Sequence, residues 1–380
     1  MWKDDTNNTM NPSYTPVRVE LGARSYAMHV AASFEGLADV LAPFVRGRRC
    51  AIVSNTTVWP LYGAAVAQAV EAGGGNGTPV LMPDGEAYKT LAVFERLMEE
   101  CVAAGLDRGS VIIGLGGGVV GDVAGFAAAS YMRGIGLVHV PTTLLAQVDS
   151  AIGGKTGVNL SSGKNLVGAF YQPRAVYINW GTLASLPARE LRAGYAEVIK
   201  YGMIADAVLF AQLERETPAI MAARAQGCTA VPDVLGGIIR RCCEIKAQVV
   251  ASDERESGLR AVLNYGHTFA HAIETLTHYR TYVHGEAVAI GMHAAASYAC
   301  ALGLCGAELV TRQRRLIEAA GLPVRMPRLD VDALLAAFGR DKKTRGGTLQ
   351  FVLPEAIGRV RLVSGCDEGV LRACLAAWQE

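Results

Sequence analysis

The sequence predicts a chain in two parts, a parallel α/β unit followed by a mostly α-helical one. Short apolar runs alternate with helical spacing up to about residue 187, helical spacing dominates after it, and "SLPAR" marks the shift in composition. Strand, helix, strand in succession argues for a parallel sheet, because parallel neighbours need a long crossover that a helix supplies.

The elements follow in order. "CAIVSN" (50–55) reads as a strand with a helix after it, and "TPVLMPDGE" (78–86) as a strand and turn. "LAVFERLMEECVAAG" (91–105) has helical spacing and stops at a glycine. "SVIIGLGGG" (110–118) is a strand running into a glycine-rich turn, "DVAGFAAASYM" (122–132) a small-residue helix, and "GLVHVPTT" (136–143) the next strand. Beyond 188, "ARELRAGYAEVIKYGMI", "DVLGGIIRRCCEIKAQVVASDE", "GHTFAHAIETL", "EAVAIGMHAAASYACALG" and "AELVTRQRRLIEAAG" all have helical period. The expected units are therefore a polar, flexible tail (1–16), an α/β domain (17–187) and a helical domain (188–380).

Composition narrows the function. Hydrophobic residues are 51% and charged residues 19%, a globular profile. A net charge of +1 argues against a nucleic-acid or anionic-membrane partner. Nine scattered cysteines, with Cys242 and Cys243 adjacent and no CxxC, suggest reduced thiols and a cytoplasmic protein. Residues 287–307 carry no Asp, Glu, Lys or Arg, yet their Ala and Gly content predicts a buried core helix and not a membrane span.

"GLGGGVVGD" places Gly116, Gly118 and Gly121 between a strand and a helix, where backbone N–H groups can approach a pyrophosphate or simply form a tight corner. The ordinary dinucleotide fingerprint wants an acid about twenty positions later. Here the next strand ends in "VPTTLL", so this is not the standard form. "GGKT" (153–156) resembles a P-loop tail, but Asp149 stands where the leading glycine should be. The stretch 142–165, at the sheet's edge, offers Thr142, Thr143, Asp149, Lys155, Lys164 and Asn165; it reads either as a solvated loop or as an anion-binding one, and its glycine and lysine density beside the glycine-rich turn favours anion binding.

"GYAEVIKYG" sets Glu197 and Lys200 on one helix face, and "NYGHTFAH" does the same for His267 and His271. "VHGEAVAIG" adds His284. Four of the seven histidines, His278 among them, lie between 267 and 284. Two imidazoles and a carboxylate suit a catalytic zinc with open positions, and the absence of HExxH argues against a zincin protease. Spacing alone leaves open which histidines would be ligands.

"PDGEAYKT", "GLGGGVVGDVAGFAAASYMRG", "VPTTLLAQVDSAIGGKTGVNL", "GKNLVGAFYQP", "LRAGYAEVIKYG", "DERESGLRAVLNYGHTFAHAIE", "HGEAVAIGM" and "RDKK" occur in this order. Together they resemble the 3-dehydroquinate synthases, sugar-phosphate cyclases of the shikimate pathway, over residues 17–378. The resemblance implies a Rossmann-like N-terminal domain, a helical C-terminal domain and an active site between them. It implies NAD and a divalent metal, zinc ahead of cobalt, with Glu197, His267 and His284 as ligands and His271 as a substrate-site residue. It sets NAD against Asn55, Asp84, Gly85, Glu86, Tyr88, Lys89, Gly117, Gly118, Val119, Val120, Gly121, Asp122, Thr142, Thr143, Lys155, Lys164, Thr182, Leu183 and Ser185. It sets substrate against Asp149, Lys155, Asn165, Lys200, Lys246, Arg260, Asn264, His271 and Lys342, and gives Arg133 to the partner subunit of a homodimer.

The implied reaction converts 3-deoxy-D-arabino-heptulosonate 7-phosphate to 3-dehydroquinate and phosphate by transient oxidation, β-elimination, reduction, ring opening and intramolecular aldol closure. A cationic cleft suits a substrate that carries both a carboxylate and a phosphate. The rival readings are a specialised cyclase, of aminodehydroquinate or 2-epi-5-epi-valiolone type, and a metal-dependent NAD alcohol dehydrogenase. The chain departs from the family pattern at Leu160, Ser161, Asn179, Gly181 and Ala270, which bears on fine specificity.

Overall fold

The computed structural model describes residues 15–225, 231–256, 258–344, 349–365 and 367–379; most of the expected tail lies outside them. Seven strands form the main sheet: β1 (Val17–Val19), β2 (Tyr26–Ala31), β3 (Arg49–Asn55), β4 (Asn76–Met82), β5 (Val111–Gly116), β6 (Gly136–Pro141) and, after a separate hairpin of β7 (Lys155–Leu160) and β8 (Gly163–Phe170), β9 (Ala175–Asn179). Their order is β1-β2-β9-β6-β5-β3-β4, with β1 antiparallel to β2 and every other neighbour parallel. The chain steps from β3 outward to β4, then returns to the far side of β3 for β5. That reversal opens a crevice beyond the carboxyl ends of β3 and β5, the place where ligands bind in open parallel sheets.

Alternation sorts the strand residues between two layers. Cys50, Ile52, Ile113 and Val138 pack with α1 (Leu37–Val45) and α2 (Trp59–Ala72) on one face. Ala51, Val53, Ile112 and Leu137 pack with α3 (Leu91–Ala103) and α4 (Gly118–Ser130) on the other. The helix expected at 91–105 forms because its apolar positions fall on one face and Thr90 caps it, its Oγ1 accepting from the Val93 amide at 3.3 Å. α4 begins at Gly118, inside the glycine run and ahead of the expected 122.

Residues 142–165 are not a plain loop. They contain a wide helical turn at Ala146–Ser150, β7 and the start of β8, an antiparallel hairpin whose strands carry too little apolar alternation to be read from sequence. β1, β2 and β9, which no predicted element covers, complete the sheet.

The second half holds α5 (Ala188–Ala205), α6 (Ala207–Ala225), α7 (Asp233–Ser252), α8 (His267–Leu276), α9 (His284–Ala301), α10 (Ala307–Ala319), α11 (Val331–Thr344) and α12 (Glu368–Ala377). It also contains a hairpin of β10 (Gln350–Ala356) and β11 (Arg359–Ser364). α9 is buried along most of its length, and among the described residues no helix is long and apolar enough to cross a membrane. Glycines let these helices touch. A Cβ on Gly285 would lie 1.9 Å from the Ala193 carbonyl oxygen on α5, and one on Gly291 2.1 Å from the Gly266 carbonyl oxygen. One continuous core runs from β1, β2 and β9 into α5, α7, α8 and α9, so the helical half is packed directly on the end of the sheet.

Candidate active site

Three elements bring one carboxylate and two imidazoles together. Glu197 lies mid-way along α5 and is 1% exposed; His267 and His284 open α8 and α9. His267 Nε2 is 3.6 Å and His284 Nε2 3.9 Å from Glu197 Oε1, and one ligand atom of each residue lies within 4.8 Å of the others. Glu197 Oε1 is buried and accepts no hydrogen bond, while Oε2 faces Lys200. A buried carboxylate oxygen without a donor is costly unless a cation satisfies it, so the donor set fits a divalent metal. His267 Nδ1 donates to the Tyr265 carbonyl at 3.1 Å, which leaves Nε2 its lone pair toward Glu197. Burial, reinforced by Lys200, keeps this imidazole neutral, well below its ordinary pKa.

His271, one turn along α8, is outside the three-residue group. Its ring centroid lies 5.7 Å from that of His267 and 6.5 Å from that of His284.

Beside the triad stands a cationic cluster around Asp149. Lys246 Nζ, on α7, is 2.6 Å from Asp149 Oδ1, and Lys200 Nζ is 3.9 Å from it. Burial pushes the Asp149 carboxyl up, but the two ammonium groups outweigh it and hold it well below the usual carboxylate range. Burial lowers Lys246 to about 8, with Asp149 partly offsetting the loss of hydration. For Lys200, burial is outweighed by Glu197 and Asp149, and its pKa is raised. Tyr201, which no sequence feature singles out, shares its hydroxyl between the Val148 carbonyl (2.9 Å) and Asp149 Oδ1 (3.0 Å).

Arg260 is 2% exposed and donates to the backbone carbonyls of Gly153 and Glu254, bracing the helical half against the turn before β7. Asn264 Nδ2 donates to Glu256 Oε1 at 2.7 Å, and the same carboxylate meets Lys155. Glu256 is thus a link that the sequence marks only by its place in "DERES". Lys89, 4% exposed, pairs with Asp122 and with the side chain of Asn165. Lys164 Nζ sits 4.2 Å from the Tyr279 ring centroid. Arg133 is exposed at a left-handed φ of 68° and, among the described residues, pairs with none of this cluster. The Lys342 side chain falls outside the described residues.

The dinucleotide candidates gather at the crevice. Asn55 closes β3 and donates to Asp84 at 2.7 Å. Gly85, at φ 114°, leads into the Glu86–Tyr88 turn. α4 starts at Gly118 with no side-chain cap, leaving its first amides (Gly118, Val119, Val120) without intrahelical partners, while the Gly121 amide donates to the Gly117 carbonyl at 3.0 Å. A Cβ on Gly117 would stand 2.9 Å from Thr143 Cγ2, so the turn keeps a cradle that a side chain would fill. Thr142 and Thr182 are buried and joined by a 3.3 Å hydrogen bond from Thr182 Oγ1. Ser185 meets Tyr62 at 2.6 Å. The side chains of Val120 and Leu183 lie in the core, so these two can contribute only backbone atoms.

The family model described as 3-dehydroquinate synthase N-terminal matches residues 79–193, and the one described as 3-dehydroquinate synthase C-terminal matches 194–344. The chain belongs to the 3-dehydroquinate synthase family. A 3-dehydroquinate synthase of Geobacter metallireducens is 51% identical over 349 residues, 91% of this chain and 94% of that one. Among solved structures, the 2-epi-5-epi-valiolone synthase of Streptomyces hygroscopicus, with NAD+ and Zn2+ bound, superposes with a TM-score of 0.84 at 28% identity, covering 99% of both chains. A 2-deoxy-scyllo-inosose synthase complexed with carbaglucose-6-phosphate, NAD+ and Co2+ gives 0.81 at 28%, covering 96% of this chain and all (100%) of that one. The sister cyclases share the fold, while the sequence stands far nearer the dehydroquinate synthases.

Proposed function

We propose that this chain is a 3-dehydroquinate synthase, a phosphate-eliminating cyclase acting on 3-deoxy-D-arabino-heptulosonate 7-phosphate. The observation that carries the reading is the buried Glu197–His267–His284 group standing beside Asp149, Lys200 and Lys246, at the sheet end that holds the uncapped glycine turn. Bound at these two places, a divalent ion (zinc, with cobalt as the second choice) supplies Lewis-acid polarisation of a substrate hydroxyl, and NAD supplies a reversible hydride acceptor.

The chain's own residues do the rest. Lys155, Lys246, Arg260 and Asn264 are proposed to hold the substrate's anionic groups, together with Asn165, Lys342 and, from a partner subunit, Arg133. Asp149 keeps Lys200 and Lys246 close together in a buried site where like charges would otherwise separate. Lys246, lowered to about 8, can exchange a proton near neutral pH, and His271 is proposed to move or hold one beside the metal ligands. Two units (17–187 and 188–380), a homodimer and a cytoplasmic location complete the reading. For the last, the support is that the described cysteines are all free thiols.

The test is phosphate release by the purified, zinc-loaded protein with catalytic NAD, using the heptulosonate phosphate and sedoheptulose 7-phosphate side by side. Release from the first alone, with no net NADH, is the expected result. Release from the second makes it a specialised cyclase, and net NADH without phosphate makes it a dehydrogenase.

A further inference from the structure

We infer that Glu274 is a positioning residue for the metal site, fixing the His284 ring so that Nε2 faces the ion. The inference rests on the metal reading above and extends it to a residue outside the three candidate ligands. Glu274 is on α8, seven residues after His267 and three after His271, so all three lie on one face of that helix. It is a carboxylate at 5% exposure, and its Oε1 is 3.2 Å from His284 Nδ1, the ring nitrogen that points away from Glu197. A carboxylate accepting from Nδ1–H holds the other nitrogen as the free donor atom and raises its basicity.

The two imidazoles are fixed by different means. His267 Nδ1 meets the backbone carbonyl of Tyr265, which no side-chain substitution removes. His284 Nδ1 depends on a side chain from the neighbouring helix. The contact is possible because α8 and α9 approach without Cβ atoms between them: Gly266 and Gly291 face each other, and a Cβ on Gly266 would lie 2.8 Å from the Met292 amide nitrogen. Glu274 therefore couples the spacing of this helix pair to the aim of one ligand.

The experiment measures the affinity of the full chain for Zn2+ alone, by competition with a chromophoric chelator, in wild type, Glu274→Gln and Glu274→Ala. It also records the visible absorption of each Co2+-loaded protein. Loss of an outer-sphere partner costs about 10–100-fold in metal affinity, so Glu274→Ala is expected to weaken Zn2+ by that factor with a shifted Co2+ spectrum. Glu274→Gln, whose amide oxygen still accepts from Nδ1–H, is expected to fall between, with the metal-free thermal midpoint close to wild type. Wild-type affinity and an unchanged Co2+ spectrum in Glu274→Ala would overturn the inference. So would equal losses in both variants tracking a lower metal-free midpoint, which would make Glu274 a helix tether only. A wild-type protein that takes up no Zn2+ would sink the metal reading itself, a result distinct from either.

Discussion

Lys246 Nζ lies 2.6 Å from Asp149 Oδ1, which ties α7 in the helical half to the turn that follows β6. The pair sets the charge of the cleft. Burial alone would drive the ammonium to release its proton, and Asp149 is its first counterweight. In Asp149→Asn that counterweight is gone, so Lys246 titrates below about 8. The alkaline limb of kcat/KM then moves to lower pH, since the cationic form is the one that holds an anionic substrate. A pH–rate profile with an unmoved alkaline limb would remove Lys246 from that role.

Glu197→Gln is expected to lose bound metal and activity together. Its Oε1 is the buried atom without a donor, and an amide there is a neutral, far weaker ligand. His271→Ala is expected to keep the metal and lose turnover, because His271 stands outside the three-residue group. Metal content by emission spectroscopy, set against activity for both variants, checks the division. Loss of metal from His271→Ala would make it a ligand.

Gly285→Ala probes how α5 and α9 are held. The added methyl would meet the Ala193 carbonyl oxygen at 1.9 Å, and backbone cannot move aside cheaply. α9 must shift, carrying His284 away from Glu197. Overpacking of this kind costs about 1–3 kcal/mol or more, so a lower urea midpoint is expected along with weakened metal binding. A variant with wild-type stability and metal affinity would show that the helices have room that the structure does not give them.

Two histidines outside the metal group predict an acid-labile fold. Burial lowers both His139 and His293 to about 4. The unfolded chain takes up these protons near the ordinary value of about 6.5, whereas the folded chain resists until near 4. The unfolded state therefore binds more protons in that window, and stability falls as pH drops from 6.5 towards 4. His139→Gln should flatten the slope of the urea midpoint against pH relative to wild type. An identical slope would mean that His139 is already protonated in the fold.

The sequence by itself determined the local elements and the inventory of the site. α3 was legible because amphipathic spacing and the Thr90 cap are local signals; the β5 strand and its glycine turn were legible because a buried parallel strand is a continuous apolar run. Glu197, His267, His271, His284 and the lysines were legible as motif residues. The β7–β8 hairpin was not, because its strands lack a clean apolar alternation and are broken by glycines, and Val158, which seats it in the core beside α4, meets residues from elsewhere in the chain. Nor was β10–β11, whose apolar residues pack against helices brought there from elsewhere in the chain.

Only the tertiary structure decided how the site residues pair. Lys246 meets Asp149 across 97 positions, and Lys155 meets Glu256 across 101. Tyr201 finds Asp149 only after the helical half has packed on the sheet, and Glu274 finds His284 only once α8 and α9 have packed on each other. Periodicity fixes which face of its own helix a side chain occupies. Which partner stands opposite is set by how neighbouring helices pack, and here that depends on glycines whose missing Cβ atoms let backbone touch backbone.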